Sequence, residues 1–213
     1  DLVSAATEFE RTAYHYPKND KSAAAAYSAL VAYQRHEATL DGADKAAWNQ
    51  RSIDAGVKFA SAFPEHPDSG GVLTRSAEQV FALGNLPRAI ELAEQVLARQ
   101  PPVDVAKQRI AWTIVGQANF DQKKFAEAEQ GFMAARNVAG GDDKLRVDLN
   151  ERLAQSVYRQ AEAKRTEGDD SGAAEAFLRV AALSPDSKIR TTAEYDAAAQ
   201  FINLKNWSRA IEV

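Results

Sequence analysis

Three histidines are the residues of this chain best suited to bind a metal ion or transfer protons near neutral pH. His15, His36 and His66 lie 21 and 30 residues apart, each near the end of a predicted helix. A metal site needs ligands that converge on one point, which this spacing does not favour. The chain also lacks cysteine, which excludes thiolate ligands, disulfides and a cysteine nucleophile. The sequence therefore predicts no metal, no cofactor, no catalytic triad and no enzymatic activity.

Two acidic pairs beside glycine resemble fragments of calcium-binding loops. They are Gly-Gly-Asp-Asp at residues 140–143 and Gly-Asp-Asp at residues 168–170. Neither continues into alternating carboxylates closed by a glutamate, as a calcium loop requires. Turn formation and helix capping are the favoured roles, and Asp142 is the predicted N-cap of the helix that follows.

The overall composition is that of an ordinary globular protein. Of 213 residues, 45% are hydrophobic and 26% are charged, with a formal net charge of −4. A weakly acidic chain has no basic footprint, so we expect no nucleic-acid partner. No apolar run approaches the roughly 18 residues that a membrane crossing needs, so we expect no direct membrane insertion.

One spacing of small and large apolar residues recurs along the chain. In the middle of the sequence it reads Trp112, Gly116, Phe125, Ala128, Phe132 and Ala135. Its second half, followed by proline, recurs as Ala5, Phe9, Thr12, Pro17; Ala55, Phe59, Ala62, Pro67; Ala89, Ala93, Val96, Pro101; and Ala173, Phe177, Val180, Pro185. The recurrence predicts helical hairpins, in which Gly116 and Ala128 allow two helices to approach closely.

This spacing resembles the tetratricopeptide repeat, a helix-turn-helix unit of about 34 residues. The resemblance implies an all-α fold, a right-handed solenoid of antiparallel helix pairs with about ten to eleven helices. Gly84 is expected to end its helix in the left-handed conformation, and Gly168 is expected to end the long helix before it. A four-helix bundle is the alternative, which the regular recurrence over five units disfavours.

The resemblance divides the chain, as one solenoid fragment over residues 1–213, into six segments. Residues 1–17 are the second helix of a truncated repeat, 20–67 an extended repeat, 69–101 and 103–140 two further repeats, 142–185 a repeat with one long helix, and 187–213 a truncated repeat. The long helix is expected over about residues 143–167, and Asp68 or Ser69 is the expected N-cap of the helix that opens the segment 69–101.

In the tetratricopeptide family the first helix of each repeat lines a concave groove. The resemblance therefore places nine candidate protein-binding residues in such a groove: Arg75, Glu78, Phe81, Gln117, Phe120, Tyr158, Arg159, Glu162 and Tyr195. Phe81 and Phe120 share one repeat position, and Tyr158 and Tyr195 share another. Aromatic rings flanked by charges suit recognition of a peptide or a partner helix. The alternative is that these aromatic residues pack between repeats.

The resemblance implies a non-catalytic scaffold that binds a peptide or partner protein. Residues 9–17 and 63–69 are similar to the helix corners of bacterial envelope tetratricopeptide proteins, including outer-membrane assembly lipoproteins, the Tol-Pal coordinator and proteins associated with TonB systems. This similarity favours a role in envelope assembly, transport or secretion and a periplasmic or outer-membrane-associated location, with the cytoplasm as alternative. The other interpretation is an adaptor or regulatory segment of a longer enzyme, such as a protease regulator or peptidoglycan or polysaccharide machinery, with catalysis outside this fragment.

Overall fold

The structure, a computed structural model, describes residues 1–141 and 143–213, and over these it contains eleven helices and no strand. The predicted N-cap Asp142 lies outside the described residues. The helices are α1 (Leu2–Tyr14), α2 (Ser22–Glu37), α3 (Gly42–Ala62), α4 (Ser69–Ala82), α5 (Leu86–Leu97), α6 (Val105–Asp121), α7 (Phe125–Asn137), α8 (Asp143–Thr166), α9 (Asp170–Leu183), α10 (Arg190–Asn203) and α11 (Trp207–Glu212). The predicted all-α class and the single long helix, α8, are confirmed.

The chain forms two compact units, Asp1–Val103 and Asp104–Val213. The first unit holds α1 to α5 and the second holds α6 to α11. Within each unit every helix packs against the helices next to it in the sequence. Each unit is therefore stabilised mainly by contacts between chain neighbours, as in helical-repeat proteins.

Four hairpins have the same type of turn between their two helices. Its central residue has a positive φ: 77° at Gly84, 61° at Lys123, 82° at Gly168 and 57° at Lys205. In each turn this residue donates its N–H to the carbonyl three residues back, and the next residue donates to the carbonyl five back. This pattern satisfies carbonyls that the helix end leaves free. The expected left-handed end at Gly84 is confirmed, and Gly168, expected only to end the long helix, has the same conformation.

In three of these four turns, the residue after the positive-φ residue caps the second helix of the hairpin. The side chains of Asn85, Asp169 and Asn206 each accept a hydrogen bond from the N–H three residues later, at 3.3, 2.8 and 3.3 Å. Turn and cap together end one helix and begin the next without help from distant residues. The same local signal therefore builds one hairpin in the first unit and two in the second.

The junction of α3 and α4 uses a different contact from the one expected. Asp68 occupies the N-cap position of α4, but its side chain makes no capping hydrogen bond. Ser69 is fully buried, and its hydroxyl donates to the carbonyl of Ala60 at 3.2 Å. The serine thus ties the start of α4 to the end of α3.

The tightest helix contact of the second unit joins α6 and α7 through two glycines. A Cβ placed on Gly131 would lie 2.6 Å from the Cα of Gly116, and one on Gly116 would lie 2.7 Å from a ring carbon of Phe132. The sequence correctly assigns Gly116 to the close approach, but the partner is Gly131 and not Ala128. Ala128 and Phe132 are fully buried beside this contact.

The first unit departs from the expected spacing in α1. This helix buries Ala6 and Ala13, whereas Phe9 is 39% exposed, so the predicted pattern of Ala5, Phe9 and Thr12 is wrong there. Adjacent alanines at positions 5 and 6 make two neighbouring stripes apolar, and one residue corresponds to a rotation of about 100°. Packing against α2 selects the second stripe.

The long hairpin of α2 and α3 is held together by an aromatic cluster. The indole of Trp48 donates to the carbonyl of Tyr33 at 3.0 Å, and its ring lies 4.4 Å from that of His36. The next residue, Asn49, donates to the carboxylate of Glu37 at 2.9 Å. These contacts fix the end of α2 against the start of α3.

Candidate functional site

A cleft in the first unit lies between α2 and α4, with α3 contributing to its lining. It consists of three adjoining recesses of about 220, 270 and 330 Å³. Gln79 lines all three, Arg75 the first two and Lys45 the last two. We call this surface the α4 cleft.

The chemistry of the α4 cleft changes along its length. The first recess has mainly apolar walls, among them Leu30, Val31 and Val72. The last recess is bordered by Ala46, Ala82 and the exposed side chain of Leu83. The middle recess is polar and is lined by Gln34, Glu37, Ala38, Lys45, Arg75 and Gln79. The two outer recesses thus add apolar wall on either side of the polar middle one, while Asp68 and Arg75 also line the first and Glu37 and Lys45 also line the last.

The middle recess carries two cations, Lys45 and Arg75, and one carboxylate, Glu37. Neither Lys45 nor Arg75 forms an ion pair with any residue that the structure describes. The one carboxylate in this recess, Glu37, already accepts the hydrogen bond from Asn49. An anionic group that enters the recess meets cations that need not give up a partner.

Aromatic packing holds the wall of the first recess in place. The ring of Tyr27 lies 5.5 Å from that of His66 and 5.8 Å from that of Phe59. His66 in turn accepts a hydrogen bond at Nδ1 from the N–H of Asp68, at 3.2 Å. A wall fixed in this way loses little conformational entropy when a ligand binds.

The candidate residues of the first unit are distributed unevenly about the α4 cleft. Arg75 lines its first and middle recesses. Glu78 is exposed on the same helix, and Phe81 is half-buried, but neither lines the cleft. Of the three residues, the structure brings only Arg75 to this surface.

A second concave surface lies in the second unit, between the turn after α6 and the end of α8. Its volume is about 590 Å³, and we call it the α8 groove. Three candidate residues, Phe120, Arg159 and Glu162, line it together. Sequence positions 39 to 42 residues apart thus meet on one surface, beside Lys123 and Arg165.

The two arginines and the glutamate that line the α8 groove are already paired with one another, whereas Lys123 forms no ion pair with any residue that the structure describes. Glu162 contacts Arg159 at 2.7 Å and Arg165 at 3.7 Å. Arg165 reaches Asp196 of α10 at 3.8 Å, and the hydroxyl of Tyr158 donates to the same carboxylate at 2.5 Å. Partial burial, assisted by this hydrogen bond, raises the pKa of Tyr158 to about 12.

The aromatic candidates of the second unit differ in their packing. Phe120 lies edge-on to Phe125 at 5.4 Å, and Tyr158 lies edge-on to Phe177 at 5.0 Å. Both rings are half-buried against the core of the unit. Tyr195, which shares the repeat position of Tyr158, is 75% exposed. Two of these rings therefore already contribute to packing, and one is presented to solvent.

The remaining candidate, Gln117, is engaged within the unit. Its amide donates to Asp121 at 2.8 Å, and its oxygen accepts a hydrogen bond from Arg152. A partner that binds Gln117 must replace these bonds.

Most of the α4 cleft was not among the residues that the sequence indicated. Gln34 and Lys45 lie in the extended repeat, where the chain departs from the regular period, and Gln79 lies in the repeat that follows it. One signal was present: Leu30, Gln34 and Glu37 follow one another at helical spacing, so they share a face of α2.

The described residues contain neither a metal-binding cluster nor a membrane-spanning helix. Within residues 1–141 and 143–213 no group of three or more histidines, aspartates or glutamates is placed to hold a metal ion. None of the helices described there combines the length and apolar character that a membrane crossing requires.

The recurring hairpins, with their shared turn and cap, define an all-α helical-repeat protein. No family model matches the chain, and no curated protein matches it. Among solved structures it is similar to a Podosopora anserina protein assigned as a kinesin light chain with nearly identical TPR-like repeats. A single-substitution variant of that protein is 15% identical, with a TM-score of 0.47 and coverage of 92% of this chain and 93% of that one. A further structure of it is 15% identical, with a TM-score of 0.44 over 86% and 88%.

Proposed function

We propose that this chain is a non-catalytic scaffold that binds a segment of a partner protein in the α4 cleft. The observation that carries the proposal is the continuous cleft beside α4, in which apolar walls flank two cations without ion-pair partners among the described residues. Apolar walls with a few placed polar groups are the usual composition of a ligand-binding surface.

The size and shape of the cleft favour a peptide segment over a whole folded surface. Its recesses adjoin one another along α2 and α4, and each has room for a few side chains rather than for a globular ligand. Helical repeats commonly bind extended segments on such surfaces. The net charge of −4 favours a protein over a nucleic acid, so the proposed partner is a protein.

The location of the protein is a finer proposal that rests on sequence alone. The corners at residues 9–17 and 63–69 resemble those of bacterial envelope proteins, which supports a role in envelope assembly, transport or secretion. Fractionation of cells that make the natural protein tests this. Recovery with the periplasm or outer membrane supports the proposal, and recovery with the cytoplasm contradicts it.

A substitution that fills the cleft tests the binding site. Peptides selected from a random display library on the wild-type protein are measured against Val31→Trp, which places an indole in the first recess. Gln95→Trp, on an exposed position of α5, is the matched control. We expect affinity to fall at least tenfold in Val31→Trp and to be unchanged in the control. Equal binding by all three proteins, with unchanged melting curves, would contradict the proposed site.

A further inference from the structure

The α4 cleft also indicates which chemistry its occupant has. We propose that it binds a continuous extended segment in which one acidic side chain lies between two apolar side chains. This inference rests on the proposed function and adds the class of ligand.

The charges that line the middle recess favour an acidic ligand. The middle recess contains Lys45 and Arg75 against one carboxylate, Glu37, so its formal charge is +1. That carboxylate is held by Asn49, while both cations lack an ion-pair partner among residues 1–141 and 143–213. An acidic side chain gains charge-assisted hydrogen bonds there without displacing an existing pair.

The second step is the choice between a carboxylate and a neutral amide. Gln34 and Gln79 lie on the wall of the same recess, and their amides can donate to either group. A guanidinium has five donors and no acceptor, so it favours a carboxylate with two oxygens over an amide with one. The arginine therefore determines the preference for an acid.

The third step is the continuation of the cleft on both sides of the charged part. Leu30, Val31 and Val72 line one neighbouring recess, and Ala82 and Leu83 line the other. The exposed Leu83 is 54% accessible and has apolar area to bury. A chain that ends at the charged recess would leave one apolar recess empty. The geometry thus favours an acidic side chain within a continuing segment over a terminal carboxylate.

The chemistry contrasts with that of the α8 groove in the same molecule. There Arg159 and Arg165 both contact Glu162, and an incoming acid would have to compete with that glutamate. The arginines of the α8 groove are therefore less available to an acid than Arg75, and Lys123 is the cation of that groove without an ion-pair partner among the described residues.

A defined peptide set tests the inference. In each peptide one glutamate lies between two leucines, and a spacer of one to three serines separates it from each leucine. The N-terminus is acetylated and the C-terminus is amidated. A parallel set replaces the glutamate by glutamine, and a third set ends in a free carboxylate directly after the spacer. Binding to the whole protein is measured by fluorescence anisotropy.

We expect the best-spaced glutamate peptide to bind at least tenfold more tightly than its glutamine counterpart. Arg75→Gln should reduce this ratio to less than threefold, and Lys45→Gln should reduce it less. Arg88→Gln is the matched control, because Arg88 lies in the same unit and contacts Glu91 at 2.6 Å outside the cleft. Melting curves establish that each variant is folded.

The outcomes separate the ligand class from the function. Equal binding of glutamate and glutamine peptides, lost in Val31→Trp, overturns the acidic preference but leaves the proposed function intact. Tighter binding of the set with a free carboxylate shows that a chain end is the occupant, and this also overturns the inference. Binding of no peptide in any set overturns it as well. A ratio that Arg75→Gln leaves unchanged places the acid elsewhere and contradicts it too.

Discussion

The α4 cleft and the α8 groove are both lined by helices of repeated hairpins, yet their arginines differ in pairing. In the cleft, Lys45 and Arg75 have no ion-pair partner among the described residues, whereas in the groove Arg159 and Arg165 share Glu162. Ion pairs that are already made stabilise the protein only slightly when exposed, but a ligand must break them before it can use those charges. A concave surface with charged side chains is therefore not by itself a binding site.

The helix contacts beneath the two surfaces differ as well, and glycine substitution gives the largest expected effect. A Cβ on Gly131 meets backbone atoms of Gly116, but one on Gly56 meets the hydroxyl of Ser76 at 2.7 Å and a methyl of Val72 at 3.3 Å. A serine side chain can rotate, whereas a helix backbone must shift. We expect Gly131→Ala to cost about 1 to 3 kcal/mol in the free energy of unfolding and Gly56→Ala less than about 1 kcal/mol.

Urea unfolding followed by circular dichroism measures both changes. Gly116→Leu, which meets the ring of Phe132, belongs in the same range as Gly131→Ala. Equal free energies of unfolding for Gly131→Ala and Gly56→Ala would contradict the expected difference between the two helix contacts.

The next largest expected effect on stability concerns Phe81 and Phe120, which share one repeat position. Phe120 is half-buried against Phe125 and the core of the second unit, while Phe81 makes no ring contact with any residue that the structure describes. Fully buried Phe→Ala changes cost about 3 to 5 kcal/mol, so we expect about 2 kcal/mol for Phe120→Ala and less than about 1 kcal/mol for Phe81→Ala. Thermal melts of both variants decide this. A larger loss in Phe81→Ala would reverse the assignment.

The turn that both units share can be tested by substituting its positive-φ residue in each unit. Gly84 and Lys123 both have positive φ, which costs a residue with a side chain about 1 kcal/mol. We expect Gly84→Ala to destabilise the first unit by about 1 kcal/mol, and Lys123→Gly to stabilise the second by up to about 1 kcal/mol. Lys124→Gly, at a φ of −87°, is the control and should not stabilise. Chemical denaturation of the three variants measures the changes, and destabilisation by Lys123→Gly would contradict the equivalence of the turns.

The smallest expected effect is a dependence on alkaline pH. The pKa of Tyr158 is raised to about 12, mainly by partial burial and then by Asp196. A group whose pKa is raised on folding contributes stability that is complete below its unfolded pKa of about 10 and is lost as pH rises through about 12. Tyr158→Phe should therefore reduce the loss of stability between pH 10 and 12. Unfolding curves across that range measure it, and an unchanged slope would show that the phenol titrates normally.

Local signals explain why the fold could be predicted from the sequence. Glycine in the left-handed conformation, followed by asparagine or aspartate, ends and begins helices at Gly84 and Gly168 through contacts with near neighbours. Lys123 and Lys205 adopt the same conformation without a residue type that favours it, so only their place in the repeat indicates it. The repeat register in α1 was displaced by one residue, because the adjacent alanines at positions 5 and 6 both fit the apolar pattern.

The candidate site was less predictable, because it depends on contacts between elements. Arg75, one of the candidates that the family resemblance suggested, lines the α4 cleft, but the repeat period carried no information on Gln34 and Lys45, which belong to the extended hairpin. The pairing state of a charge depends on where other side chains end in space. The sequence therefore indicated Arg159 and Arg75 as equivalent candidates, although only one of them is already neutralised within the protein.

Backbone amide chemical shifts, recorded by NMR while a selected peptide is added to the protein, test the central claim most directly. The account predicts that the perturbed amides concentrate on α2 and α4, at Gln34, Arg75 and Gln79, with affinity lost in Arg75→Gln and retained in Arg159→Gln. Perturbations confined to the surroundings of Phe120 and Arg159, with affinity lost in Arg159→Gln alone, would contradict it and identify the α8 groove as the binding surface.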